Sequence, residues 1–166
     1  MRTFTFPSTP VGVLTLAADD HDRLCRLEFE TGTRGPGTGE ADSPLTGVLA
    51  DAVTQLDEYF AGTRREFELE LAPKGTAFQL AVWEALVAIP YGTTASYGDI
   101  ARRVGRPNAV RAVGQANGRN PIAIVVPCHR VIGSDHSLTG YGGGIERKRY
   151  LLSLEGAEAL TPALDL

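Results

Sequence analysis

Cysteines and long apolar runs are both scarce in this sequence. The chain of 166 residues contains only two cysteines, Cys25 and Cys128, too few for the disulfide framework of a small secreted domain. No apolar run approaches the roughly 20 residues that a membrane-spanning helix needs. The apolar stretch at 11–18 follows two prolines and is interrupted by threonine as in a strand, so we expect no signal peptide. These absences predict a cytoplasmic protein that does not bind membranes.

Residues that bind metals are sparse as well. His21 and Cys25 lie close together in the sequence, but two ligands fall short of the four in a usual structural zinc site. We therefore expect neither a metal nor a cofactor. With 43% hydrophobic and 22% charged residues, the composition is typical of a globular protein, which excludes disordered and fibrous architectures.

Basic residues are fewer than acidic ones over the whole chain, but they are concentrated in one segment. The formal net charge is −4, which by itself argues against a nucleic-acid partner. Between Tyr97 and Tyr150, however, nine Lys and Arg residues accompany only three acids, a local charge of +6. The rest of the chain is acidic. This asymmetry predicts a localised surface that contacts phosphates.

The first half of the chain has the pattern of a small sheet with one helix. Polar residues alternate with β-branched or aromatic ones in three segments, which predicts antiparallel strands at 3–6, 11–18 and 24–30. A glycine-rich surface loop is expected at 31–43. Helical apolar spacing follows from Leu45 to Phe60, with Ser43-Pro44 as the expected start. Alternation at 67–71 predicts a further strand, and 72–75 resembles a linker, so we expect domains at 1–74 and 75–166.

The second half is predicted to be mainly helical. Thr76 and Gln79 have the spacing of a capping box at the start of a helix that Pro90 ends. Ser96 is expected to cap a short helix, a turn at 105–108 follows, and residues 109–117 form another short helix. Two short helices across a tight turn predict a helix-turn-helix, and a last helix is expected at 145–155. The predicted class is α+β.

One cysteine stands out by its neighbours. Residues 122–126 are an unbroken apolar run, which predicts a buried strand that ends just before Cys128 and His129. A lone buried cysteine is most often a small hydrophobic residue. A nucleophilic thiol, by contrast, needs a rigid support and an adjacent base, and this segment provides both.

The motifs around Cys128 resemble those of the methylated-DNA–protein-cysteine methyltransferases. The resemblance runs through residues 75–155, with the motifs in order and at fitting spacing: Gly75-Thr76-Ala77-Phe78-Gln79, Ile89-Pro90-Tyr91-Gly92, Arg111-Ala112-Val113-Gly114, Asn120-Pro121, Pro127-Cys128-His129-Arg130-Val131 and Thr139-Gly140-Tyr141-Gly142-Gly143-Gly144. It implies a ribonuclease H-like first domain and a DNA-binding second domain. The implied partner is double-stranded DNA containing O6-alkylguanine, and we expect a monomer.

The resemblance also implies a role for individual residues in a single-turnover, suicide transfer reaction. Cys128 corresponds to the alkyl acceptor, His129 to the base that takes its proton through a water, and Glu155 to the acid that orients the histidine. Tyr97 corresponds to a donor to the guanine, and Lys148 to a lysine that assists the leaving base. Because a thioether is stable, each molecule would repair one lesion.

Further positions follow from the same resemblance. Arg111 corresponds to the arginine that fills the gap left by a flipped nucleotide, and Asn120 to the asparagine that ties the DNA-binding helices to the active-site segment. The other implied DNA contacts are Ser96, Tyr97, Ala112, Gly114, Arg102 and Arg103. The implied alkylguanine pocket consists of Val131, Tyr141 and Gly142. Gly142 stands where some relatives have serine, so the tolerated size of the alkyl group is left open, as is repair of O4-alkylthymine.

Three other functions use some of the same features. A cysteine hydrolase could use the same Cys-His-Glu arrangement, but it would turn over. A transcriptional regulator could use the helix-turn-helix, although its small-residue second helix offers few base-reading side chains. A lesion-binding protein without transfer activity would resemble this family except for a replaced nucleophile, and Cys128 argues against it.

Overall fold

A computed structural model of the protein describes residues 1–30, 43–138 and 140–157. The chain forms two compact units, Met1–Lys74 and Gly75–Leu166. The predicted loop at 31–43 lies, apart from Ser43, outside the described residues, as does Thr139 of the glycine-rich motif. No helix in the described part of the chain is long and apolar enough to cross a membrane.

The first unit contains an antiparallel sheet and one helix, as the sequence predicts. Strands β1 (Arg2–Thr9), β2 (Gly12–Ala18) and β3 (Leu24–Phe29) lie in the order β1-β2-β3. Helix α1 (Gly47–Phe60) contacts β1 and β2. The core consists of side chains with no exposed surface from both layers: Leu14, Leu16, Leu27, Leu49, Leu56 and Tyr59. Alternation in the strands and helical spacing in α1 direct these residues to one interior.

The predicted start of α1 at Ser43-Pro44 is wrong. The helix begins at Gly47, and Thr46 occupies the N-cap without a side-chain bond. Ser43 instead extends the pairing of β1, since its N–H donates to the Thr3 carbonyl at 3.0 Å. The Asp22 carboxylate accepts from the Val48 N–H at 3.2 Å and so supplies the cap from a distant part of the chain. A cap that comes from another element has no local sequence signal.

The predicted strand at 67–71 is also wrong. Only Leu71 forms a bridge, parallel to Leu24. The Leu24 N–H donates to the Glu70 carbonyl and the Ala72 N–H to the Leu24 carbonyl, at 2.9 and 2.8 Å. The alternation is real, but the segment pairs with β3 at one residue only.

The second unit is mainly helical and its helices begin where the sequence predicts. Its helices are α2 (Ala77–Val87), α3 (Tyr97–Arg103), α4 (Val110–Gly118) and α5 (Ile145–Leu154). Strands β4 (Ala95–Ser96) and β5 (Val131–Ile132) pair in parallel. The capping box of Thr76 and Gln79 is present, and Ser96 forms another with Asp99. The predicted caps at Thr76 and Ser96 are thus confirmed. They can be predicted from sequence because the two residues of a capping box lie within one helical turn.

Helices α3 and α4 form the predicted helix-turn-helix. Gly105 ends α3 with a φ of +75°, in the left-handed region that favours glycine. The Arg106 N–H then donates to the Ala101 carbonyl at 2.9 Å and closes the turn. On its inner side α4 packs against α2, where the Trp83 Nε1–H donates to the Ala116 carbonyl at 2.9 Å. Trp83 is a core residue.

The segment 122–126 is buried as predicted, but it is not a strand. The Val126 N–H donates to the Ile122 carbonyl at 3.0 Å, so the backbone turns back on itself. Ile124 has a φ of +70°, which a β-branched residue rarely adopts. The Asn120 side chain accepts from the Ile122 N–H at 3.0 Å and donates to the Val126 carbonyl at 2.7 Å. The Asn120 side chain therefore binds backbone groups that a strand would use for hydrogen bonds to a neighbouring strand.

Candidate active site

The 3-10 turn Cys128–Arg130 follows this buried segment and holds the candidate nucleophile. Cys128 is 5% exposed. Its N–H donates to the Val126 carbonyl at 2.8 Å, and its carbonyl accepts from the Asn117 side-chain amide at 3.4 Å. Asn120 bonds the same Val126 carbonyl. Two asparagines at the end of α4 therefore fix the backbone that presents the thiol.

The environment of the thiol both suppresses and supports its ionisation. Burial raises the pKa of Cys128, while side-chain hydrogen bonds with Asn120 and Tyr141 and the charge of Lys148 act in the opposite direction. Lys148 has no exposed surface, and its Nζ donates to the Val131 carbonyl at 2.7 Å. Burial lowers the pKa of Lys148 to about 8, against the attraction of Cys128. Because burial prevails at Cys128, the resting side chain is a thiol that needs a base.

His129 has the geometry of such a base. Its Nε2 lies 2.8 Å from Glu155 Oε2, and neither side chain has exposed surface. An ionised carboxylate only accepts, so Nε2 carries the hydrogen and Nδ1 of the neutral ring is an acceptor. Nδ1 is buried and has no hydrogen-bond partner in the described part of the protein. Burial lowers the pKa of His129, with Glu155 opposing, so the imidazole is neutral at neutral pH.

Glu155 immediately follows α5, and besides His129 it binds the Arg130 guanidinium. Arg130 Nε donates to Oε1 at 2.7 Å and Nη2 to Oε2 at 3.0 Å. Burial alone would raise the pKa of Glu155, but hydrogen bonds to His129 and Arg130, and their charges, lower it to about 2. The carboxylate therefore stays ionised at any physiological pH and holds the histidine in one tautomer. A thiol, a neutral imidazole and a buried carboxylate in this arrangement can generate and use a thiolate.

Comparisons with known proteins agree with this geometry. Residues 3–73 match the family model described as "6-O-methylguanine DNA methyltransferase, ribonuclease-like domain", and residues 77–157 match its "DNA binding domain" counterpart. The chain belongs to the 6-O-methylguanine DNA methyltransferase family. The resemblance found in the sequence is thus confirmed, and it extends to the first domain.

Relatives in this family are similar over almost their whole length. The methylated-DNA–protein-cysteine methyltransferase of Mycobacterium leprae is 61% identical and covers 92% of both chains. The constitutive one of Bacillus subtilis is 50% identical, covering 93% of this chain and 96% of its own. Among solved structures, Mycobacterium tuberculosis OGT in complex with DNA superposes with a TM-score of 0.84 at 49% identity, covering 99% of each chain.

In this methyltransferase-family fold, the residues expected to contact DNA lie on α3 and α4. Arg102, Arg103, Arg111 and Ala112 are exposed, and Gly114 is half-buried. A Cβ placed on Gly114 would lie 3.9 Å from the Tyr97 ring, an ordinary van der Waals distance. Arg102 forms an ion pair with Asp99. Ser96 caps α3 and is half-buried.

The basic surface is smaller than the sequence suggests. Of the nine cations between Tyr97 and Tyr150, Arg130 is 6% exposed and Lys148 is fully buried. Both serve the interior of the site and are unavailable to phosphates. In the sequence, only the surrounding motif indicates that Arg130 belongs to the site, because it directly follows Cys128 and His129.

Two of the three predicted pocket residues have contacts with the Cys128 environment. Val131 is buried and accepts from Lys148 through its carbonyl, and Tyr141 acts to lower the pKa of Cys128 against the effect of burial. Gly142 is exposed. Asn117 and Arg130 were not predicted as site residues, yet both contact this centre directly.

Proposed function

We propose that the protein repairs alkylated DNA by moving an alkyl group from O6 of a guanine in duplex DNA to Sγ of Cys128. The observation that carries this proposal is the buried bond between His129 and Glu155, which leaves Nδ1 as a free acceptor next to the Cys128 turn. The family to which the chain belongs, and the relative solved with DNA, support the substrate.

The reaction uses side chains of the site and one bridging water. His129 Nδ1 takes the thiol proton through a bridging water, and Sγ attacks the saturated alkyl carbon. The S–C bond forms as the C–O6 bond breaks, and the electron pair passes to the guanine. The Tyr97 hydroxyl donates to the departing base and stabilises its charge.

Lys148 contributes from inside the protein. Its Nζ is bonded to the Val131 carbonyl, and its charge acts to lower the pKa of Cys128. In this proposal it assists the leaving base by stabilising the thiolate that displaces it. Val131, Tyr141 and Gly142 line the pocket for the alkylated base.

The target carbon lies inside a stacked duplex, so the nucleotide must rotate out. Arg111 lies exposed on α4, where it can fill the vacated space, and Ala112 and Gly114 allow the backbone of this helix to approach closely in the minor groove. Arg102 and Arg103 contact phosphates, which adds affinity without sequence preference.

The protein acts once. The thioether formed on Cys128 is stable, and the thiol of the other cysteine, Cys25, is bonded to the Ala17 carbonyl within its own sheet. We place the protein in the cytoplasm as a monomer, since a thiol nucleophile needs a reducing compartment.

Counting alkyl groups transferred per protein molecule tests the proposal against its rivals. Protein and an excess of duplex DNA with one O6-methylguanine per molecule are mixed, and the amount of guanine restored within the DNA is measured over time. We expect a single burst of one equivalent and no steady state. Continued turnover would indicate a cysteine hydrolase, and no burst would indicate a binding protein or a regulator; either result contradicts the proposal.

A further inference from the structure

Arg130 is the residue of the site whose role is least expected from its sequence. All three guanidinium nitrogens are used. Nε and Nη2 bind the two oxygens of Glu155 at 2.7 and 3.0 Å, and Nη1 donates to the Ile89 carbonyl at 2.8 Å. The guanidinium also lies over the Tyr91 ring, 5.7 Å from its centroid. Three of its five N–H groups bind inside the protein and the residue is only 6% exposed, so Arg130 is poorly placed to contact DNA.

The contacts of Arg130 fix the orientation of Glu155. A paired N–H fork holds both carboxylate oxygens in the plane of the guanidinium, which a lysine could not do. Glu155 Oε2 is then left at 2.8 Å from His129 Nε2. Arg130 itself donates to the carbonyl of Ile89, just beyond the end of α2. The position of His129 therefore depends, through Glu155 and Arg130, on the position of that helix end.

The charge of Arg130 also affects the histidine. The charged groups that act on His129 are Glu155, Arg130 and Lys148. Arg130 neutralises much of the negative charge that Glu155 would otherwise direct at the imidazole. A histidine with only Glu155 beside it would hold a second proton more strongly, and a doubly protonated ring cannot accept a proton at Nδ1.

We propose that Arg130 is a positioning residue for the transfer reaction, which orients Glu155 and keeps His129 neutral and able to accept the Cys128 proton. The inference rests on the proposed function. It assigns two separable properties to one side chain: the fork geometry sets the maximum rate, and the positive charge sets the pH at which His129 becomes a base.

Two variants separate these properties. Arg130→Met removes both the fork and the charge, whereas Arg130→Lys retains the charge alone. Single-turnover transfer from duplex DNA containing O6-methylguanine is measured from pH 5.5 to 9. In parallel, His129 is titrated by NMR with labelled histidine and assigned with His129→Asn.

For Arg130→Met we expect His129 to titrate about one unit higher, because the opposing charge is gone. Its transfer rate should fall more at the acidic end of this range than at pH 8.5, because less of the imidazole is then neutral. For Arg130→Lys we expect the wild-type titration of His129 with a pH-independent loss of about tenfold in rate.

The inference is overturned if His129 titrates at the same pH in folded Arg130→Met and wild type. It is also overturned if Arg130→Lys transfers at the wild-type rate at every pH, a result that stands even if the methionine variant fails to fold. If the wild type performs no transfer at all, the proposed function fails, while the NMR titration still tests the charge effect by itself.

Discussion

At the scale of single residues, the site is governed by charges held away from water. Glu155 is ionised inside the protein only because His129 and Arg130 bind it from two sides. Such a cluster is expensive to break, since removing one member leaves the others buried and unpaired. The identities of Cys128, His129 and Glu155 could be predicted from motifs, but Arg130 could not, because a surface arginine and a buried one look alike in sequence.

Glu155→Gln should destabilise the protein by about 3 to 5 kcal/mol at pH 7, because it leaves the Arg130 charge uncompensated. Urea unfolding measures the change. Glu146→Gln is the matched control, since Glu146 is exposed in the first turn of the same helix and should change stability by less than about 0.5 kcal/mol. Equal stability of Glu155→Gln and wild type would contradict the role given to this carboxylate.

Acid should weaken the wild type more than Glu155→Gln. The folded-state pKa of Glu155 lies near 2, below its ordinary value of 4.5, so its stabilisation is present above pH 4.5 and is lost as pH falls toward 2. The lowered pKa of His129 adds a loss below pH 6.5, where the unfolded histidine gains a proton first. Unfolding free energies from pH 7 to pH 3 should fall less steeply for the variant. Parallel curves would count against the paired cluster.

At the scale of elements, features that depend on residues close in sequence could be predicted, and features that depend on residues distant in sequence could not. The capping boxes of α2 and α3 were correct because each cap and its partner lie three residues apart. The start of α1 was missed because Asp22 caps it from the β2–β3 turn. The apolar sequence of residues 122–126 correctly predicts burial and favours a strand. The segment bends because of hydrogen bonds from Asn120, which lies outside it, so its own residues do not predict the bend.

Asn120→Ala should therefore loosen the segment that presents the nucleophile. It removes bonds to Ile122 and Val126 and a bond to the thiol, so we expect a loss of about 1 to 3 kcal/mol in stability and slower transfer. Asn108→Ala, in the exposed turn before α4, is the control and should leave both unchanged. A fully active, fully stable Asn120→Ala would show that the tether is dispensable.

At the scale of the whole molecule, an acidic protein presents one basic segment to its partner. The net charge of −4 limits non-specific attraction, while the exposed arginines of α3 and α4 are the groups that we propose contact phosphates. The α+β class, the boundaries of most elements and the catalytic motif were available from the sequence. The inward turn of Arg130 and Lys148, which removes two charges from the DNA surface, required the structure.

The location of a transferred methyl label tests directly whether Cys128 is the residue that accepts the alkyl group. Wild type and Cys128→Ser are incubated with duplex DNA carrying one O6-methylguanine with a labelled methyl group, then digested and analysed by peptide mass spectrometry. The account predicts one label per molecule on Cys128 in the wild type, and none in the serine variant although it still binds the lesion. Label on any other residue, or on the serine variant, would contradict it.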